Sequence, residues 1–278
     1  MHINKIIGEI GSLIRAALKE DCPENDITTN ACVDPAQQCR AVVKAKQDMV
    51  LAGIPVFCAV MKEVDKSIRL SPLRKDGQRV HKGDVVLKIH GKCAAILRAE
   101  RVALNYLQRM CGIATLTARY VEQVSGAKAK VLDTRKTTPN MRLLEKYAVT
   151  CGGGYNHRMD LSDQPLIKEN HIRAAGGITA AVRMARKSRK KPLILEVTDR
   201  REALEGLAAG ADILLLDNMT PRQAREIAKL ARGKALIEVS GGVTLKTARQ
   251  FALAGADRIS VGALTHSAPA ADLSLLFE

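Results

Sequence analysis

From Ala129 onward, short apolar runs alternate with longer stretches in which apolar residues recur every three or four positions. The runs KVLDT, PLIK, LILEV, ILLLD, ALIEV and RISV read as strands. The segments Gly177 to Lys187, Arg200 to Ala209, Pro221 to Ala231 and Thr244 to Ala254 carry the period of amphipathic helices. Alternating strands and helices imply a parallel sheet joined by right-handed crossovers. The repeat offers six strands, or seven if Ala148 to Thr150 counts, so the expected architecture is α/β, a (β/α) barrel that is either closed or incomplete.

The first third has a different texture. Ile3, Ile6, Ile7, Ile10, Leu13, Ile14, Ala17 and Leu18 lie at helical spacing and predict one amphipathic N-terminal helix. Between Asn25 and Leu97, Ala41 to Lys46, Met49 to Ala52, Lys66 to Leu70 and Val85 to Ile89 read as strands, with a helix at Val56 to Val64. This is an N-terminal α+β sheet domain, expected over residues 1–105. A catalytic barrel over 106–278 follows, its last residues packing back on the first domain. Arg98 to Val124 is helical in character, with Gly112 expected to break it in two. Arg101, Asn105 and Gln108 fall on one face of the first half.

At 278 residues, 46% apolar but only 3% aromatic and without Trp, the chain builds its core from Leu, Ile, Val and Ala. The formal charge of +15 favours anionic partners: phosphates, carboxylates or nucleic acid. Part of that charge only solvates helices, and Lys187, Arg189, Lys190 and Lys191 read as a helix end and loop. Few aromatic residues and no helix-turn-helix or RNP-like string argue against nucleic-acid binding. Seven cysteines without a CxxC pair read as reduced thiols. With no signal peptide and no span long enough for a membrane, the expected location is the cytoplasm. His81 and His90 read as surface residues rather than ligands.

Candidate chemistry concentrates between Leu132 and Ile172, where Arg135, Lys136, Arg142, His157, Arg158, Lys168 and His171 accompany the triple glycine Gly152 to Gly154. Cations at strand ends, beside glycines that admit backbone N–H groups to a ligand, suit a multiply charged anion. Other strands also end in polar groups: Glu196, Asp217-Asn218, Glu238 with Ser240, and Ser260. A barrel gathers such ends on one face. Its last two loops, Ser240-Gly241-Gly242-Val243 and Val261-Gly262 to His266, sit where barrels commonly bind phosphate.

The strings LDTRKTTP, CGGGYNHRMDLSD and LIKENHI resemble the quinolinate phosphoribosyltransferase family, and ERVALNYLQ, ILEV, LLLDN, EVSGGV and SVGALTH extend the resemblance over nearly the whole chain. The resemblance implies transfer of a phosphoribosyl group from phosphoribosyl pyrophosphate to quinolinate, with decarboxylation to nicotinate mononucleotide. By it, Arg135, His157, Arg158 and Lys168 bind quinolinate, joined by Arg101 from the second subunit of a homodimer. Lys136, Glu196 and Asp217 are the catalytic set. These three also bind phosphoribosyl pyrophosphate, with Ser240, Gly241, Gly242, Gly262 and His266. Mg²⁺ is the implied cofactor, associated with Glu196 and Asp217. GGGYNHR with LIKENHI resembles this family more than its molybdenum-transport-associated relatives. Two departures stand beside site motifs: Asn140, where the family usually has glycine, and Thr198, where an acidic residue is common. A Schiff-base aldolase built on Lys168 is a competing enzyme class, disfavoured by the surrounding cations.

Overall fold

The computed structural model describes residues 3–188 and 191–278, so Arg189 and Lys190 of the expected loop lie outside the described residues. The chain forms two compact units, one comprising Met1–Ala118, Thr138–Gly153 and Ser267–Glu278, the other Arg119–Thr137 and Gly154–His266. The expected division at 105/106 falls inside a continuous helix, and the first unit also recruits two later segments.

The chain opens with α1 (Ile3–Glu9), α2 (Gly11–Asp21) and α3 (Ile27–Cys32), so the single N-terminal helix expected from periodicity is two. Ile6, Ile10 and Ile14 are nevertheless all buried, because the apolar stripe continues through the junction. Then follow β1 (Gln38–Ala45), β2 (Met49–Val50), α4 (Ile54–Val64), β3 (Arg69–Pro72), β4 (Arg79–Val80), β5 (Val85–Lys92) and α5 (Cys93–Gln123). Asp76 fastens the start of α4 from outside the helix, accepting the N–H groups of Gly53 and Ile54 at 2.9 and 3.0 Å. Tyr147 donates to the same carboxylate at 2.9 Å. Burial, with Asp76 adding to it, pushes the Tyr147 hydroxyl well above its usual pKa.

Helix α5 runs through Gly112 without a break, contrary to the expected pair of helices. A Cβ at Gly112 would stand 2.0 Å from the carbonyl oxygen of Pro269, so glycine is required there by close backbone approach. From α5, Gln108 donates to Leu273 O at 2.8 Å and accepts the Ala271 N–H on its backbone.

After α5 come β6 (Lys130–Leu132), α6 (Arg142–Cys151), β7 (Leu166–Ile167), α7 (Glu169–Ala175), α8 (Ile178–Ser188) and β8 (Ile194–Val197). The rest is α9 (Arg200–Ala209), β9 (Ile213–Asp217), α10 (Pro221–Ala231), β10 (Leu236–Ser240), α11 (Leu245–Leu253), β11 (Arg258–Ser260), α12 (Ala263–His266) and β12 (Leu273–Phe277). Strand β12 pairs antiparallel with β1, Ala41 opposite Phe277, and completes the first unit's sheet in the order β12-β1-β5-β3. Ala148 to Thr150 is not a strand but part of α6, where Leu144, Ala148 and Val149 bury one face.

The second unit holds six parallel strands ordered β6-β11-β10-β9-β8-β7. In this order β6 and β7 lie at the two ends, and Tyr155 adds a parallel bridge to Leu132 of β6, so the barrel is open between Tyr155 and β7. Ile194, Leu195, Ile213, Leu214, Leu216, Ile237 and Val239 are buried, as expected for parallel strands covered by crossover helices. Asp199 caps α9 by accepting the Glu202 N–H, and Thr220 with Gln223 forms a capping box at α10. None of the helices among the described residues is long and apolar enough to cross a membrane. The seven cysteines form no disulfide.

Candidate active site

At the C-terminal ends of the parallel strands lies a cleft of about 750 Å³, built wholly from the second unit. Arg135 and Lys136 reach it from the loop after β6, His157 and Arg158 from the segment before β7, and Lys168 from the end of β7. Glu196, Asp217, Glu238 and Ser240 come from β8, β9 and β10; Gly241, Gly242, Gly262 and His266 come from the last two loops. The sheet register explains part of this convergence. Glu196 is level with Leu215, Leu215 with Glu238, and Glu238 with Arg258, so one row crosses four strands. Asp217 and Ser240 pair in the row nearer the loops. Leu215 also belongs to a buried apolar cluster with Leu166, Ile194 and Ile213 beneath the polar rim.

One wall is cationic. The Nε of Arg135 is buried without a hydrogen-bond partner, a cost expected to be relieved by an anionic ligand. Burial first, then the neighbouring Arg135 charge, make Arg158 a weaker base than usual, with Asp163 opposing. Arg158 Nη1 donates to Gln164 O at 3.2 Å. Lys168 occupies the N-cap position of α7, its N–H donating to His171 Nδ1 at 3.0 Å. That leaves its ammonium to reach across to β8, where it donates to Glu196. Half-exposed and ion-paired, Lys168 lacks the desolvated surroundings that make a Schiff-base nucleophile.

The last two loops line the cleft with backbone. Gly241 and Gly242 adopt φ of 84° and 62°, and Asn218 one of 54°. A Cβ on Gly241 would lie 2.3 Å from Asn218 Oδ1, while Asn218 Nδ2 donates to Asp217 Oδ2 at 3.0 Å. At Gly262 a Cβ would meet the His266 ring and the Lys136 stem, each at 3.2 Å, so the missing side chain lets both cross the loop. Thr265 Oγ1 donates to Lys136 O at 2.7 Å and ties the loop after β6 to the last one. Backbone and cations arranged this way suit phosphate oxygens.

Some expected residues lie elsewhere. Arg101 is exposed on α5 and is not among the residues lining the cleft. Arg142 opens α6, and His171 serves the α7 cap; neither lines the cleft. Nor do Gly152 to Gly154. Gly152 is a packing glycine, because a Cβ there would be 2.4 Å from Ala114 O on α5. Glu238 and Asp133, by contrast, showed in the sequence only as polar residues at strand ends. Both are fully buried, and Asp133 Oδ1 accepts the His157 N–H at 2.9 Å. An acid within the apolar run ALIEV was the signal for Glu238.

Two family models match this chain: the quinolinate phosphoribosyl transferase N-terminal domain over residues 26–111 and the C-terminal domain over 113–276. The chain belongs to the quinolinate phosphoribosyl transferase family. A probable nicotinate-nucleotide pyrophosphorylase (carboxylating) of Bacillus subtilis is 40% identical over 269 residues, covering 96% of this chain and 93% of the relative. The solved nicotinate-nucleotide pyrophosphorylase from Francisella tularensis is 41% identical at a TM-score of 0.94, covering 98% of this chain and 97% of that one. NadC from Streptococcus pyogenes is 43% identical at 0.92, covering 97% of each. The family departures are locally accommodated. Asn140 adopts φ 63°, a left-handed conformation that asparagine tolerates better than most residues after glycine. Thr198 donates from N and Oγ1 to Glu202 Oε2 at 2.8 and 2.9 Å, within the start of α9.

Proposed function

We propose that the cleft joins quinolinate to phosphoribosyl pyrophosphate and releases pyrophosphate and carbon dioxide, giving nicotinate mononucleotide for NAD biosynthesis. The observation that carries this reading is that one cleft of a family member is lined together by cations, by the glycines of the last two loops and by carboxylates from neighbouring strands. Arg135, Arg158 and Lys168 take the two adjacent carboxylates of quinolinate, for which guanidinium groups offer paired donors. Lys136, Ser240, Gly241, Gly242, Gly262 and His266 take the phosphates.

Binding sets the ring nitrogen in line with the anomeric carbon. The nitrogen lone pair forms the new bond as the bond to pyrophosphate breaks, and the leaving group carries away that electron pair. Glu196 and Asp217 face the ribose and its developing positive charge. The pyridinium then accepts the electrons released when the adjacent carboxylate leaves as carbon dioxide, and that ring carbon takes up a proton. No general base is needed for the first step, because the attacking nitrogen carries no proton.

Glu196 and Asp217 also fit Mg²⁺ in the form in which it arrives with a substrate's phosphates, held by one or two carboxylates. When bound, the ion would neutralise the leaving pyrophosphate. Arg101, exposed on α5, is assigned to the cleft of a partner subunit in a homodimer.

The test is incubation of purified protein with quinolinate, phosphoribosyl pyrophosphate and Mg²⁺, with chromatographic detection of nicotinate mononucleotide and trapping of carbon dioxide. Equal product from nicotinate, without carbon dioxide, would overturn the quinolinate assignment.

A further inference from the structure

Resting on the quinolinate reading above, we propose that Glu238 is a positioning residue that acts through His157. Its carboxylate is fully buried at the base of the cleft. Ser260 Oγ donates to Oε1 at 2.6 Å, and Arg258 stands 3.9 Å from Oε2. His157 Nε2 lies 3.0 Å from Oε1, its side chain only 7% exposed. The other ring nitrogen is already engaged, because Nδ1 accepts the Arg158 N–H at 2.8 Å. An imidazole nitrogen that accepts a hydrogen bond carries no proton, so the neutral ring keeps its proton on Nε2, facing Glu238.

Three links therefore fix the ring: the Asp133 bond to the His157 N–H, the Arg158 N–H on Nδ1, and the Glu238 carboxylate beside Nε2. The first two come from the same short segment of chain and its immediate support. Glu238 supplies the third from β10, and it ties His157 to the sheet row that also carries Glu196. His157 then meets quinolinate as an oriented dipolar group, and the charge on that wall comes from Arg135, Arg158 and Lys168. This arrangement suits a substrate that must be gripped yet lose one carboxylate, since each added cation near that carboxylate would stabilise it against departure. The Oε2 atom is buried without a hydrogen-bond partner, with Arg258 3.9 Å away, a cost that packing of the core does not offset.

The test is a double-mutant cycle on the full-length protein, using Glu238→Ala, His157→Ala and the pair, with Glu238→Gln as the conservative variant. Separate KM values are measured for quinolinate and phosphoribosyl pyrophosphate. Glu238→Ala should raise the quinolinate KM roughly 10- to 100-fold, as for loss of one close contact between a buried charge and the imidazole, with a much smaller change for the phosphoribosyl donor. In the His157→Ala background the same change should add less than about threefold. Glu238→Gln, which retains an acceptor of the same shape, should recover most of the affinity. Multiplying losses in the double variant, or equal damage to both KM values with no recovery in Glu238→Gln, would overturn the proposal in favour of a structural role. Should Glu238→Ala fail to fold, Glu238→Leu, which fills the same space without an acceptor, takes its place in the cycle on the same criteria. Wild-type protein that transfers phosphoribosyl groups to a different acceptor would reject the quinolinate reading instead, and is seen before any variant is made.

Discussion

Replacing Glu196 by Gln should strengthen quinolinate binding while impairing catalysis. Within the chain the Lys168 ammonium already has a partner, Glu196 from β8. A substrate carboxylate must compete for that lysine, so neutralising Glu196 removes the competitor without altering the shape of the site. The gain is bounded by the worth of the ion pair. Lys168 is 49% exposed and Glu196 14%, so solvent screens much of their attraction, leaving about 0.2–1 kcal/mol. That corresponds to about 1.5- to 5-fold tighter quinolinate in titration calorimetry. The same substitution takes a negative charge from beside the ribose, so turnover should fall steeply and the KM for phosphoribosyl pyrophosphate should rise. Weaker quinolinate binding in Glu196→Gln would refute the competition. It would mean that Glu196 holds Lys168 in position for the substrate rather than against it.

Other substitutions address separate parts of the structure. Gly241→Ala forces a left-handed φ on alanine and drives a Cβ toward Asn218 Oδ1, so affinity for phosphoribosyl pyrophosphate should drop about 5- to 30-fold at 1–2 kcal/mol of strain; unchanged affinity would clear this loop of phosphate binding. Gly112→Ala distinguishes a packing glycine from a helix breaker by sign. Overpacking against Pro269 O should destabilise by about 1–3 kcal/mol, visible in the melting temperature, whereas relief of a mere helix breaker would raise it. If Arg101 completes a partner's cleft, Arg101→Ala and Lys168→Ala proteins, each inactive, should recover roughly a quarter of wild-type activity on random subunit exchange; confirmed mixed dimers without recovery would show that Arg101 acts within its own chain.

The alternation of strands and helices was legible because each crossover unit is local: Arg200–Ala209 and Pro221–Ala231 begin and end where their caps, Asp199 and Thr220 with Gln223, had to fall. The strand-end residues of the site were legible for the same reason, since a parallel barrel sends every strand end to one face. Glycine was ambiguous. Gly112 and Gly152 mark close packing against Pro269 and Ala114, while Gly241 and Gly262 lie in loops that line the cleft, and only the fold distinguishes these places. Ala148 to Thr150 is as apolar as a short strand, and its helical state follows from the period of α6 as a whole, with Leu144 one turn before Ala148. The unit boundary was hidden because residues 138–153 and 267–278 join the first unit through contacts far apart in sequence.

Pairing within the cleft was the least legible feature, and it alters the electrostatic picture most. Read along the chain, Arg135, Lys136, Arg158 and Lys168 are a crowd of like charges that would repel one another in a low-dielectric site. Sheet register sets carboxylates among them from segments 20 to 100 residues away: Glu196 against Lys168, Glu238 against His157, and Asp217 beside the phosphate loop. Of these cations, Lys168 is therefore held by one of the chain's own carboxylates. On the proposed function, quinolinate would take over Lys168 from Glu196, and the freed carboxylate would turn to the sugar. Occupation of the cationic wall is thereby linked to readiness of the ribose side through one side chain, and linkage requires the effect to run both ways. A ligand engaging Glu196 should release Lys168 and tighten quinolinate, and quinolinate should tighten that ligand by the same factor. Glu196→Gln should abolish both halves together. Calorimetric titrations of quinolinate with and without an unreactive phosphoribosyl pyrophosphate analogue, in wild type and variant, would measure that factor; equal coupling in the two proteins would place the linkage elsewhere in the cleft.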